Sequence, residues 1–241
     1  MERVLELKHF GKKYGNGKRA AKDVNLAVES GEIYGFIGHN GAGKTTTIRA
    51  IVGVLDFSEG EILIEGHSIK KEPVLCKSRM AYIPDNPDLY EFLTGMQYLD
   101  YMADVFSVEE SKRKERIRKY GELLGMTDSL GELIGSYSHG MRQKVALMGA
   151  FLHEPKLLVL DEPFVGLDPE ASFHLKEMLK ELCQRGSAVF FSTHVLEVAE
   201  KLCSKVAIIK DGTLIASGTM EEVKGNASLE EVFLEVVDHE K

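Results

Sequence analysis

The sequence has 241 residues, 44% of them hydrophobic, enough to bury the core of one globular domain. Its 30 basic against 38 acidic residues give a formal charge of −8, which argues against a broad face for nucleic-acid phosphates. The longest nearly apolar run, residues 145–152, falls far short of the roughly 20 residues a membrane-spanning helix needs. The opening Met1-Glu-Arg-Val reads as no signal peptide. Cys76, Cys183 and Cys203 are scattered and form no CxxC pair, so they predict free thiols rather than a disulfide framework or a zinc site.

Short β-branched runs at residues 4–7, 33–37, 61–64, 157–160, 188–192 and 206–209, several followed by helical patterns, predict an α/β layered core. After residues 33–37, Ile48, Ile51, Val52 and Leu55 fall at helical spacing. Residues 86–155 carry no strand signal. They carry helix signals instead, with Ser107 and Glu110 as a capping box and Gly125 as a stop, and read as a helical insertion. Asp168-Pro169 caps a further helix whose Ala171, Leu175, Met178, Leu179 and Leu182 share one face and which ends near Gly186. Asp211-Gly212 marks a hairpin between residues 206–210 and 213–216. The tail opens on a second capping box, Ser228 with Glu231, and places Leu229, Val232, Phe233, Val236 and Val237 on one helical face.

Gly38-His39-Asn40-Gly41-Ala42-Gly43-Lys44-Thr45 matches GxxxxGK[ST], between an apolar strand and a helix as the motif requires. Glycines let backbone N–H groups turn toward phosphate oxygens, and the helix N-terminus adds its dipole. Lys44 then neutralises β/γ charge while the Thr45 hydroxyl is free to ligate Mg²⁺. Much later an apolar strand ends in Asp161-Glu162. If that strand lies parallel beside the phosphate-loop strand, its end faces the same crevice. Alternation of side chains then sends Asp161 toward Mg²⁺ and Glu162 toward an attacking water.

With further motifs in the same order, the chain resembles the ATP-binding cassette (ABC) nucleotide-binding domain over nearly its whole length. Tyr137-Ser138-His139-Gly140-Met141-Arg142-Gln143-Lys144 resembles the signature stretch usually written LSGGQ. Gly166-Leu167-Asp168 resembles the loop along the dimer seam, and Ser192-Thr193-His194 the switch histidine. The resemblance implies a P-loop NTPase α/β fold with a mainly parallel sheet, an N-terminal antiparallel β portion and a helical subdomain. It divides the chain into a catalytic core of residues 1–85 and 156–241 and a helical subdomain of 86–155.

The same resemblance implies an ATPase with ATP and Mg²⁺ as its nucleotide and ion. Lys44, Glu162 and His194 would act on the γ-phosphate, with Thr45, Asp85 and Asp161 toward the metal. The nucleotide would lie on Gly38, His39, Asn40, Gly41, Ala42, Gly43, Lys44, Thr45 and Thr46, with Ser138 and Gly140 reaching it from a second subunit. Tyr14 stands where the family stacks an aromatic ring on adenine, or is a half-buried strand aromatic. Asp85 stands in Tyr82-Ile83-Pro84-Asp85, where the family has glutamine, and is a metal ligand or a turn former beside proline. His139 and Met141 replace the signature's first glycine and its glutamine.

The implied role is a transporter motor, peripheral on the inner face of the cell membrane, which forms a homodimer or heterodimer and docks a transmembrane permease on the helical subdomain. A soluble ABC ATPase acting on DNA or the ribosome is the alternative. One phosphate loop, no sustained heptads and the acidic charge count against it. A small-molecule P-loop kinase would leave the signature and His194 unexplained. The tail from Ser228 resembles the ending of drug- and peptide-export cassettes, which implies export.

Overall fold

The computed structural model describes residues 2–15 and 17–238. Met1 of the amino-terminal run and the side chain of Val237 lie outside that description. Two sheets form the frame. The first has four antiparallel strands in the order β2 (Arg19–Glu29), β1 (Arg3–Lys13), β4 (Glu59–Ile64) and β5 (His67–Ser68). The second has six strands in the order β10 (Thr213–Thr219), β9 (Lys205–Lys210), β3 (Ile33–Ile37), β8 (Ala188–Thr193), β7 (Leu157–Asp161) and β6 (Met80–Ile83). All its pairs are parallel except the β9–β10 hairpin. The α/β fold with an antiparallel N-terminal portion and a mainly parallel sheet is therefore present as expected.

Strands β3, β7 and β8 are buried along their whole length, as parallel strands covered on both faces are. Side-chain alternation splits them between two cores. Ile33 and Ile37 of β3, Leu158 and Leu160 of β7, and Val189 and Phe191 of β8 face α5 (His139–Phe151), α6 (Pro169–Gln184) and α7 (Leu196–Leu202). Tyr34, Phe36, Leu157, Val159 and Phe190 face α1 (Lys44–Ile51) and the antiparallel sheet. Asp161 follows 157 and 159 in that alternation, which turns it to the α1 side.

Helices α3 (Gly95–Val105), α4 (Glu110–Leu123) and α5 occupy the stretch read as a helical insertion. Short α2 (Pro73–Ser78) precedes β6, and α8 (Met220–Lys224) and α9 (Leu229–Asp238) close the chain. Asp168 caps α6 as expected, accepting a hydrogen bond from the Ala171 N–H at 2.8 Å. The tail box also forms: the Ser228 N–H donates to Glu231 at 2.7 Å and the Glu231 N–H to Ser228 Oγ at 3.2 Å. Gly125 adopts φ 62° just past the end of α4.

Four expectations need correction. Strand β7 does not neighbour β3, because β8 lies between them. Ser107 and Glu110 form no capping box: Ser107 has φ 53°, and Glu109 is the cap residue without a side-chain bond. The box in this region is Thr94 with Gln97, ahead of α3. Helix α1 ends at Ile51, leaving Leu55 beyond it, and β10 runs on to Thr219 instead of stopping at 216.

Candidate functional site

The parallel register levels the strand ends. Ile37 of β3 pairs with Thr193 of β8, Ser192 of β8 with Asp161 of β7, and Leu160 of β7 with Ile83 of β6. The segments leaving those strands therefore emerge together at the carboxyl edge of the sheet, where open α/β sheets bind ligands. They are the 38–45 loop, Glu162, His194 and Asp85. An open pocket of about 280 Å³ lies there, bounded by His39, Asn40, Gly41, Gly43, Lys44, Thr45 and Thr46. Tyr14, Lys18, Ala20, Asp85, Asp161 and Glu162 complete its lining.

The loop's glycines are demanded by its path. Gly43 has φ 113°, and a Cβ there would meet the Ala20 carbonyl oxygen at 2.2 Å. It passes directly into α1, whose first turn leaves N–H groups without intrahelical acceptors. Lys44 is 6% exposed, and its Nζ donates to the Gly38 carbonyl at 2.6 Å and the His39 carbonyl at 3.3 Å. Burial draws its pKa below the ordinary lysine value, against the opposing pull of Glu162 and Asp161. The ammonium is thus a compact charge held over the cradle by two carbonyls.

Glu162 lies 3.7 Å from Lys44 Nζ and 2.9 Å from His194 Nδ1. The His194 N–H donates to its other oxygen at 3.3 Å. Glu162 has φ 50°, a sparsely populated conformation for a residue with a side chain, of the kind that clusters at functional sites. Its N–H is held at 3.2 Å by both the Ser192 carbonyl and Ser192 Oγ. Asp161 is 1% exposed; Oδ1 accepts from Ser192 Oγ, while Oδ2 is buried with no hydrogen-bond partner. A buried carboxylate oxygen without a partner is costly unless a cation or water completes it.

That orphaned Asp161 oxygen, with the Thr45 hydroxyl and the Asp85 and Glu162 carboxylates of the same pocket, fits a divalent cation arriving with a polyphosphate. Among the described residues no group of three or more His, Cys, Asp or Glu forms a cage for a metal ion. Mg²⁺ takes one or two carboxylates plus substrate phosphates, so it needs no such cage.

The remaining sequence candidates divide. Tyr14 is 38% exposed at the pocket rim, and its hydroxyl is 3.2 Å from Thr46 Oγ1, so its ring is open to stacking and is not a core aromatic. Asp85 is exposed at the rim and its carboxylate accepts from the Asn86 N–H at 3.0 Å through one oxygen, a turn contact. Gly38 and Ala42 belong to the loop without bounding the pocket. Ser138 and Gly140 are not brought to it. Ser138 caps α5 through the Met141 N–H at 3.2 Å. A Cβ on Gly140 would sit 2.8 Å from the Gly166 carbonyl, and Lys144 pairs with Asp168 at 2.6 Å, so the signature stretch packs on the 166–168 loop.

Two site residues escaped the sequence reading. Lys18 reaches the rim from the turn before β2, and Ser192 ties Asp161 and Glu162 to β8. The hydroxyl pair Ser192-Thr193 at the end of a strand was the available signal for the second. No pattern marked Lys18.

A family described as ABC transporter matches residues 21–165. YhcH of Bacillus subtilis (strain 168), described as an uncharacterised ABC transporter ATP-binding protein, is 42% identical over 89% of this chain and 70% of its own length. LnrL of the same bacterium, the linearmycin resistance ATP-binding protein, is 33% identical over 91% of this chain and 70% of its own. This chain spans 61% and 60% of two further relatives, from Nostoc sp. and Synechocystis sp.. A solved structure of the ATP-binding subunit of an ABC transporter is 35% identical with a TM-score of 0.94, covering 97% of this chain and 99% of that one.

Proposed function

The chain belongs to the ABC transporter family as one of its ATP-binding, ATP-hydrolysing subunits, and from that premise we propose how its residues hydrolyse ATP and what the hydrolysis drives. The observation that carries the reading is the chain of contacts Lys44–Glu162–His194, beside the orphaned Asp161 oxygen, at the mouth of the 38–45 cradle. The triphosphate lies along the loop N–H groups and the first turn of α1, and adenine stacks on Tyr14. Lys44 leaves its two carbonyls for β- and γ-phosphate oxygens. Thr45, Asp161 and Asp85 would hold Mg²⁺, whose charge would offset that of the phosphates next to the rim carboxylates.

Glu162, released from Lys44, accepts a proton from the attacking water as that oxygen bonds to the γ-phosphorus. The bond from phosphorus to the bridging oxygen breaks, and the electron pair leaves with ADP. His194 holds the Glu162 carboxylate through Nδ1 and addresses the γ-phosphate as the water adds. Ser138 and the N–H groups of Gly140 and its neighbours complete the site from a second copy or a second cassette. Their distance from this chain's own pocket supports that trans arrangement, which gives two sites per symmetric dimer.

Hydrolysis drives a separate permease docked on residues 86–155. Exposed Phe92, Tyr90, Tyr101, Val105 and Leu133 gather in that region, with Tyr90 5.8 Å from both Phe92 and Tyr101. A groove of about 460 Å³ next to them is lined by Pro84, Asn86 and Pro87, the neighbours of Asp85. A helix seated there would sense the Asp85 loop. Among the described residues no helix is long and apolar enough to cross a membrane. Export is the direction proposed, on the resemblance of the 228–237 tail and on the resistance role named for LnrL. The test is affinity purification from membranes followed by ATPase assay: a copurifying membrane protein that changes the ATPase rate supports the motor, and copurification with ribosomes or DNA instead refutes it.

A further inference from the structure

The last described helix reaches the phosphate loop. Leu229 of α9 is fully buried and Phe233 is 9% exposed, both within the core formed with α6 and α7. The Phe233 ring meets the His39 ring edge-on, with centroids 5.0 Å apart and planes at 62°. That geometry is the favourable one for aromatic pairs. His39 is the second residue of the phosphate loop and is itself exposed on the pocket rim.

The His39 backbone is restrained by the Lys44 ammonium on its carbonyl at 3.3 Å and by the Ala42 N–H at 3.2 Å. An entering triphosphate takes Lys44 away. The Phe233 contact acts on the His39 ring and not on its carbonyl, so it does not depend on Lys44. Helix α9 is a firm base for it. The Leu229 N–H donates to Glu200 of α7 at 3.2 Å, and the same carboxylate pairs with Lys224 at the end of α8. Helix α7 starts at Leu196, two residues after His194. One helix thus touches the loop that cradles phosphate and is anchored on the segment that follows the switch histidine.

We propose that Phe233 is a positioning residue for nucleotide binding: through His39 it holds the phosphate loop in its cradle shape when Lys44 turns to the phosphates. The proposal rests on reading residues 38–45 as the phosphate loop. Loss of one aromatic contact of this kind corresponds to a roughly three- to tenfold change in affinity. Phe233→Leu keeps an apolar side chain against the α6–α7 core and removes the ring edge. His39→Leu removes the same contact from the exposed side, where folding is not at stake.

The experiment measures ATP affinity by calorimetry and steady-state hydrolysis on the full chain, for Phe233→Leu, His39→Leu, the double variant and Lys44→Ala, well below each variant's melting temperature. The expected result is a three- to tenfold weaker ATP affinity in each single variant, falling on KM rather than kcat, and no further loss in the double variant. Unchanged affinity in either single variant, or losses that multiply in the double, overturns the proposal. If Phe233→Leu gives no cooperative melt, Phe233→Met replaces it with the same criteria. Unchanged affinity in Lys44→Ala shows instead that the phosphate-loop reading is at fault, and the proposal falls with it.

Discussion

Replacing Lys44 by methionine keeps an unbranched stem and removes the ammonium. That ammonium gives its hydrogen bonds to the Gly38 carbonyl at 2.6 Å and the His39 carbonyl at 3.3 Å. ATP must draw it from these. The bond to phosphate joins two charged groups and belongs at the upper end of the range for charged hydrogen bonds, about 3 kcal/mol, while the shorter of the two carbonyl bonds given up, charged on one side only, belongs at its lower end, about 1.5 kcal/mol. The difference, about 1–2 kcal/mol, predicts ATP binding weaker by about five- to thirtyfold in Lys44→Met. Stability should move little, because the lost carbonyl bonds are offset by relief of burying a charge whose pKa burial already lowers. Calorimetric titration with Mg-ATP reads the affinity, and a thermal melt without nucleotide reads the fold. An affinity within twofold of the parent, in a variant with an unchanged melt, would refute the placement of the triphosphate over Lys44.

Mixing Lys44→Ala chains with Ser138→Arg chains should restore ATPase above either variant alone, since one heterodimer site is then wholly intact; no restoration in verified heterodimers removes the trans assignment of Ser138. Asp85→Ala should raise the Mg²⁺ concentration for half-maximal hydrolysis, with Asp85→Gln recovering much of the loss; a Mg²⁺ curve that overlays the parent leaves Asp85 as a turn former only. Asp168→Ala removes the α6 cap and the Lys144 partner and should cost about 1 kcal/mol at neutral pH, read by denaturant unfolding. The Asp168 pKa is lowered, first by the Ala171 N–H and then by Lys144, so this contribution is present above the ordinary aspartate range and is lost as pH falls below about 4. His153, its pKa pushed down to about 4 by burial, stays neutral in the folded protein where the unfolded chain takes up a proton. Stability should therefore fall as pH drops from about 6.5 toward 4, and His153→Leu should flatten that slope in melts across the range.

The phosphate loop was legible because its residues are constrained locally: Gly43 must adopt φ 113° against the Ala20 carbonyl, and no other residue type serves. Asp161-Glu162 was legible only together with that loop, since an apolar strand ending in two acids is by itself more often a strand that runs out into solvent. Strand β2 was not. Buried Ala20 and Ala21 are adjacent, charged Lys22 and Asp23 follow, and Asp23 has φ 51°, so no alternation survives in its first half. Seven antiparallel pairs with β1, spread over its eleven residues, make it a strand, and that contact is not written in its own sequence. The intervening position of β8 was hidden likewise, since parallel pairs join segments distant in the chain. At Ser107 a matching pattern misled, because the backbone turns left-handed there and the helix begins later.

Ser138 and Gly140 were recognised by motif order, yet this chain holds them against its own 166–168 loop and away from its pocket. Under the proposed trans arrangement they serve a second subunit's nucleotide. Their neighbours His139 and Met141 fit this packing: the His139 ring lies where a Cβ on Gly166 would project, at 2.5 Å. The histidine fills space beside the loop that a glycine would leave open.

Glu162→Gln tests the central claim most directly. The amide keeps the shape of the side chain and its place beside His194 at 2.9 Å, and it cannot take a proton from water. Loss of a general base predicts turnover lower by about a hundredfold or more. ATP affinity should hold or rise, and an ATP-dependent dimer should accumulate on size exclusion because bound nucleotide is no longer consumed. Turnover within a few-fold of the parent chain, at equal ATP occupancy, would contradict the assignment of Glu162 as the residue that activates water.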